Sequence, residues 1–295
     1  MTVQQLGVNQ MANEGHLAMV KQGVEAWNEW SHDNPKITPN LEGANLKETN
    51  LREINLYKAD LREVTFSRSN LSMANLEGAN LGIAVLERAT LYTAVLYKAN
   101  LREANLYKAD LREADLSQVD LSMANLREAN LCAALLEGAI LYTAILHKAN
   151  LWEAILYKAD LRESDFSMAN LREANLSLTN LGMANLCMAN LVGATLYAAN
   201  LRGANLNLAN LCMANLLGAS LHRATLVSAT LIGANLYKAS LVEANLRKAD
   251  LREATLSLAD LTGANLHSAN LSRANLRGVN LQGANLSLAN LSEAN

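Results

Sequence analysis

Residues 101–120 read LREANLYKADLREADLSQVD, with leucine at 101, 106, 111 and 116 and a small residue at 104, 109, 114 and 119. The same unit, Leu-x-x-Ala-Asn, extends in both directions without a frame shift, from Leu41 to Asn295. Its centre is leucine except at Phe66 and Phe166. The small position is alanine except at Thr49, Ile54, Val64, Ser69, Val119, Ser164, Thr179 and Val279. A spacing of five fits neither regular element. On an α-helix it rotates the leucine by roughly 140° per unit and smears it over every face. On a flat strand an odd spacing sends successive leucines to opposite sides. The chain must therefore bend once per unit so that every leucine faces one interior, which describes a solenoid with a turn in each pentad.

The tandem units Ala104-Asn105-Leu106-Tyr107-Lys108 and Ala109-Asp110-Leu111-Arg112-Glu113 resemble the pentapeptide-repeat family. The resemblance implies an all-β solenoid: a right-handed quadrilateral β-helix, four pentads per coil, with the central residue and the preceding small residue inside. With about 4.8 Å between stacked backbones, residues 41–295 would form about thirteen coils and a rod on the order of 60 Å long. Leucine fills such a shaft and alanine leaves room where the wall bends. The Asn before each centre points outward, where stacked amides can hydrogen-bond along the rod axis. Glycines two places after a centre, such as Gly43, Gly78 and Gly138, suit the positive φ of a type II turn. The glycine-free run of that place from Arg88 to Ala133 predicts type I-like turns there, because its Lys, Glu and Met resist positive φ.

Residues 1–40 form a separate N-terminal segment. Leu17, Val20, Val24 and Trp27 recur at helical spacing, Asn13 is a candidate cap and Asn34-Pro35 ends the pattern. These features predict one helix over about 14–32 that closes the first coil as a lid. The unusual Thr49, Ile54, Val64 and Ser69 beneath it predict wider or irregular first coils. At the other end the pattern runs through Ala294-Asn295 with no closing segment, so end-to-end pairing of two copies is one expectation.

The 295 residues carry 25 basic and 28 acidic side chains, a net charge of −3, which provides no general field for holding nucleic acid. No run of 18 apolar residues exists to span a membrane, and the first thirty residues do not read as a secretion signal. Three cysteines fit a reducing compartment, and the expected location is cytoplasmic. Within the repeat, His147, His222 and His267 fall on different coils, and Cys132 and Cys212 lie about four coils apart. No metal, disulfide or cofactor is expected. The serines lack a neighbouring base and there is no glycine-rich phosphate loop, so the chain is not expected to be an enzyme.

Some relatives implied by the resemblance are acidic rods that mimic DNA and bind DNA gyrase, inhibiting it or protecting it from quinolones. Mimicry needs rows of carboxylates. Here most acids adjoin a base, as in Arg62-Glu63, Arg112-Glu113 and Arg162-Glu163, and the column Asp60, Asp120, Asp160, Asp260 is interrupted by Asn80, Asn100 and Ile140. Gyrase binding is therefore the alternative reading.

The more informative departure is apolar: Val85, Val95, Leu135, Ile140, Ile145 and Ile155 replace the outward Asn. Stacking by twenties aligns Val95, Leu135 and Ile155, beside a column of Tyr57, Tyr97, Tyr157, Tyr197 and Tyr237, with Trp152 and Tyr92 together on an adjacent face. Ladder packing alone accounts for such a strip, but exposed aliphatic and aromatic strips also form protein contacts. The expectation is a non-catalytic interaction or scaffolding module. Its contact face runs through Val95, Tyr97, Leu135, Ile155, Tyr157 and Trp152, and its partner is another protein or a second copy of this chain.

Overall fold

A computed structural model describes residues 12–295. From Asn40 onward each outward residue pairs in parallel with the residue twenty positions later, for example Asp110 with Asn130 and Leu135 with Ile155. Four pentads therefore close one coil, and the whole repeat is a β-solenoid. The central Leu or Phe and the small residue are buried throughout almost the entire shaft. The leucines of the last coil, Leu276, Leu281 and Leu286, are half-buried, and Leu291 is exposed.

One pentad shows why the unit repeats. Leu111 N–H donates to Asn130 O in the next coil at 2.7 Å, and Glu113 N–H donates to Cys132 O at 3.0 Å. Ala114 N–H closes the turn on Leu111 O at 3.2 Å, and Asp115 N–H reaches back to Ala94 O at 2.9 Å. The fifth donor, Arg112 N–H, is taken by the side chain of Asp110 at 3.3 Å. The Asn or Asp of each unit thus accepts the one amide that no neighbouring coil can reach, which is the accounting that buried backbone demands. Asn side chains also link coils, as Asn150 Nδ2 to Asn130 Oδ1 at 3.0 Å and Asn170 Nδ2 to Asn150 Oδ1 at 2.8 Å.

The turns differ from the sequence expectation. Every residue two places after a centre from Arg88 to Ala133 has positive φ, between 52° and 63°, as the glycines do. Left-handed backbone costs an L-residue roughly 1–2 kcal/mol. In return, this geometry lets the amide of that residue reach the next coil and keeps the following leucine inside, where burial contributes about 1.5–3 kcal/mol. Stacking therefore overrides single-residue preference, and one turn type serves the rod.

The first coils are also regular rather than wide, since the twenty-residue pairing starts at Asn40↔Asp60. Ile54 and Val64 are fully buried within it. Ser69 Oγ donates to Leu46 O at 2.6 Å, and Thr49 Oγ1 donates to the same carbonyl, so these inward hydroxyls are satisfied by backbone.

The lid is two helices, not one. α1 (Glu14–Gln22) is capped by Asn13, whose side chain accepts from Gly15 N–H and His16 N–H. It ends at Gly23, whose φ of 121° breaks the helix, and α2 (Val24–Asp33) continues the same apolar face. Val20 is buried, and Trp27 is fully so, with Leu17 and Val24 packed beside them. The lid also supplies partners for the first coil, those of Asn55 and Asn40 standing in for a preceding coil. Trp27 Nε1 donates to Asn55 O at 2.6 Å and Asn28 Nδ2 donates to Glu53 O at 3.0 Å. Asn28 Oδ1 accepts Asn55 N–H at 2.8 Å, and His16 Nδ1 accepts Asn40 N–H at 3.0 Å. An open sheet edge is thereby closed with side chains.

Candidate protein-contact face

Each side of the rod is a stack of short strands bounded by two corners, and the residue after each centre stands at a corner. Trp152, Ile155 and Tyr157 therefore cross one side of a single coil, and Tyr92, Val95 and Tyr97 cross the same side three coils earlier. The sequence reading put Trp152 and Tyr92 on an adjacent face, but their corner bounds the side that carries Ile155. Leu135 pairs directly with Ile155, while Asp115 separates it from Val95. The expected continuous strip is consequently two bands. The upper, with Leu135, Trp152, Ile155 and Tyr157, is the larger.

Exposure separates the members. Leu135, Trp152 and Ile155 are 38–40% exposed. Tyr97 and Tyr157 are half-buried, with Lys98 Nζ and Lys158 Nζ at 4.8 and 4.9 Å from their ring centroids. Because Val95 and Ile155 have no acceptor to offer, Tyr97 and Tyr157 lack the side-chain cap on their amides that Asn55 gives Tyr57 at 3.3 Å. A third band, Tyr142, Ile145 and His147, lies on the opposite side.

Arginine pairing also departs from the neighbouring Arg-Glu reading. Arg52 and Arg172 do bind the following glutamate, each at 3.0 Å. Where the outward residue is Asp, however, the arginine turns back to it: Arg62 to Asp60 and Arg162 to Asp160, both through Nε at 2.8 Å and Nη2 at 2.6 Å. These hydrogen bonds hold the Asp60 and Asp160 carboxyls below the usual carboxylate range, against the opposing effect of their partial burial. Arg112 pairs with Asp110 in the same way and lies 5.5 Å from the Tyr92 ring centroid. Arg162 repeats the arrangement over Tyr142, again at 5.5 Å.

The sequence reading passed over a row of exposed thioethers and leucines at the left-handed turn position. Met168, Met188 and Leu208 stack in consecutive coils, and Met183 and Met213 fold over the glycine one coil above. Length and polarity at that position were the available signal; only its turn preference was used. Burial raises the Cys132 thiol above its ordinary value, and Cys132, Cys187 and Cys212 are all free thiols. Among the described residues no His, Cys, Asp and Glu side chains gather as a metal site, and no helix is long and apolar enough to cross a membrane.

The sequence profile described as pentapeptide repeats matches overlapping segments that run from residue 44 to 295, omitting only residue 123. No curated protein matches the chain. Among solved structures, HetL, a pentapeptide repeat protein involved in heterocyst differentiation regulation in the cyanobacterium Nostoc sp. strain PCC 7120, is 39% identical. It aligns over 68% of this chain and 88% of its own with a TM-score of 0.51. A pentapeptide repeat protein of the Arabidopsis thaliana thylakoid lumen is 35% identical over 30% of this chain and 63% of its own, TM-score 0.30. QnrB1, a plasmid-mediated fluoroquinolone resistance protein, is 19% identical over 65% and 86%, TM-score 0.34.

Proposed function

Because the chain belongs to the pentapeptide-repeat family and is built as a rod, we propose that it is a non-catalytic protein-interaction module that contacts its partner through the side bearing Leu135, Trp152, Ile155 and Tyr157. The observation that carries this reading is the joint exposure of Leu135, Trp152 and Ile155, with Leu135 and Ile155 at the outward place where the repeat mostly sets Asn or Asp. A large ring beside aliphatic side chains on a rigid support is the composition of interface anchors. Three free cysteines support a reducing location, the cytoplasm. A gyrase-directed role gains nothing from the charge arrangement, since Asp60, Asp110, Asp160 and Asp250 are each neutralised by an arginine of their own corner.

The test is affinity capture from lysate of the source organism with the natural chain and a Leu135→Ser, Trp152→Ser, Ile155→Ser variant of unchanged circular dichroism. A protein held by the first and lost by the second supports the assignment. Gyrase held by both favours mimicry, and retention of nothing by either form contradicts the proposed face.

A further inference from the structure

Ten of the twelve glycines in the repeat occupy the left-handed turn position. Gly82 and Gly182 do not: they stand immediately after a centre, where φ is ordinary and every other pentad carries a side chain. No backbone requirement explains them. What they share is their surroundings. Asp60, Arg62, Glu63, Asn80, Asn100 and Arg102 around Gly82 recur, identical and in register, as Asp160, Arg162, Glu163, Asn180, Asn200 and Arg202 around Gly182. Each glycine opens a cleft between an arginine one coil below and an arginine one coil above, about 280 Å³ at Gly82 and 600 Å³ at Gly182. The two clefts lie on the same corner, five coils or about 24 Å apart.

The chemistry of the walls selects among occupants. Arg62 is bound by Asp60 and by Glu42 at 2.8 Å, and Arg162 is bound in a two-point pair by Asp160. With their charges already matched, Arg62 and Arg162 offer an anion little and are left to stack, whereas above them Arg102 reaches Asp120 at 3.5 Å and Arg202 has no carboxylate within ion-pair distance among the described residues. At the same corner Arg162 covers the Tyr142 ring one coil below at 5.5 Å, and at the opposite corner Arg112 covers Tyr92 likewise, which shows what the face of an aspartate-paired arginine accepts. Two coils span about 10 Å. A ring in the plane of Gly182 would therefore lie about 5 Å from each flanking arginine, within the reach of a cation–π contact.

We propose that these clefts are paired receptors for aromatic side chains of a protein partner, each ring entering the coil whose own side chain is missing. The tyrosines of this chain also show how the two differ. Tyr92, Tyr107 and Tyr142 each donate their hydroxyl to the glutamate twenty-one residues later, Glu113, Glu128 and Glu163, at 3.3–3.4 Å. The corresponding residue is Glu103 for Gly82 and Gly203 for Gly182. The first cleft suits a phenol, and the larger second cleft suits an indole without a hydroxyl partner. This assignment uses a different corner from the Trp152 side and stands or falls independently of it.

The probe is a blocked, fluorescently labelled peptide with Tyr and Trp separated by seven prolines, a stiff spacer placing the rings about 25 Å apart. Fluorescence anisotropy should show it binding at least tenfold more tightly than peptides with either aromatic changed to Leu, by effective concentration. Gly82→Tyr or Gly182→Tyr, which fills one cleft from within, should reduce binding to the single-ring level, and the double variant should abolish it. Both substitutions are compatible with the backbone, and an unchanged melting temperature verifies folding. Binding that survives the double variant overturns the proposal. So does equal binding of a peptide with Glu at both ends, which would make the clefts anion sites, or with Leu at both ends, which would make them merely apolar.

Discussion

Replacing Trp27 with alanine is the sharpest test of how the lid holds the rod. The indole is fully buried, and its Nε1–H is the partner of Asn55 O at the open edge of the first coil. Loss of a buried tryptophan side chain costs about 3–5 kcal/mol, which at tenfold per 1.4 kcal/mol raises the opening constant of the structure it supports by about two to four orders of magnitude. In a solenoid each coil contacts only its neighbours, so the effect should be local. Hydrogen exchange followed by mass spectrometry should show protection falling by that factor in α1, α2 and residues 40–60, with the amides beyond about residue 120 unchanged. A Leu141→Ala variant supplies the contrasting case of a defect in the middle. Uniform loss of protection along the whole chain after Trp27→Ala would refute nearest-neighbour stability. Unchanged protection in the first coil would refute the lid's role as a substitute coil.

Four further outcomes are expected. Leu141→Ala, which empties a fully buried site, should lower stability by about 2–5 kcal/mol in denaturant unfolding. Ala133→Gly should stabilise by up to roughly 1 kcal/mol, because Ala133 bears the left-handed cost at φ 55° without a long side chain to pack along the corner. Gly138→Ala, at φ 63°, should destabilise by a similar amount, measured the same way. The folded-state values of Asp60 and Asp160 lie below their unfolded ones, so their stabilisation is complete above the ordinary carboxylate value of about 3.9 and disappears as pH falls through the lower folded value. Asp60→Asn with Asp160→Asn should therefore be less stable than the natural chain at pH 7 and show a shallower loss of stability below about pH 4 in thermal melts.

The pentad frame, the inward leucines and the stacking of residues twenty apart are legible in the sequence because spacing alone carries them. The same register brings Leu135 against Ile155 without any knowledge of contacts. Features decided by competition are less legible. Lys98 and Glu103 adopt positive φ because the ladder enforces it, although each residue by itself favours the opposite. Gly23 interrupts a helical pattern that continues through it in apolar spacing, so periodicity could not show the break. Arg162 chooses Asp160 over Glu163 because the aspartate, fixed by its own turn amide, already points at the guanidinium. The merger of Trp152 with the Ile155 side required knowing where corners lie. The twin clefts were open to inspection as the two glycines out of place, but a glycine signals only a vacancy until the neighbouring coils are known.

The closure of each coil by four pentads also sets the rules by which such a gene can change. Gain or loss of a number of codons that is not a multiple of five breaks the frame of everything downstream. Gain of a single pentad preserves the frame but swings all later surface features by a quarter turn. Residues 91–100 and 141–150, LYTAVLYKAN and LYTAILHKAN, are near copies fifty residues apart. Ten pentads make two and a half coils, so the copy faces the other way. The Gly82 and Gly182 surroundings, a hundred residues apart, face the same way. Duplication in this rod therefore moves a surface feature around the axis as well as along it, and only copies offset by whole coils can act together on one partner.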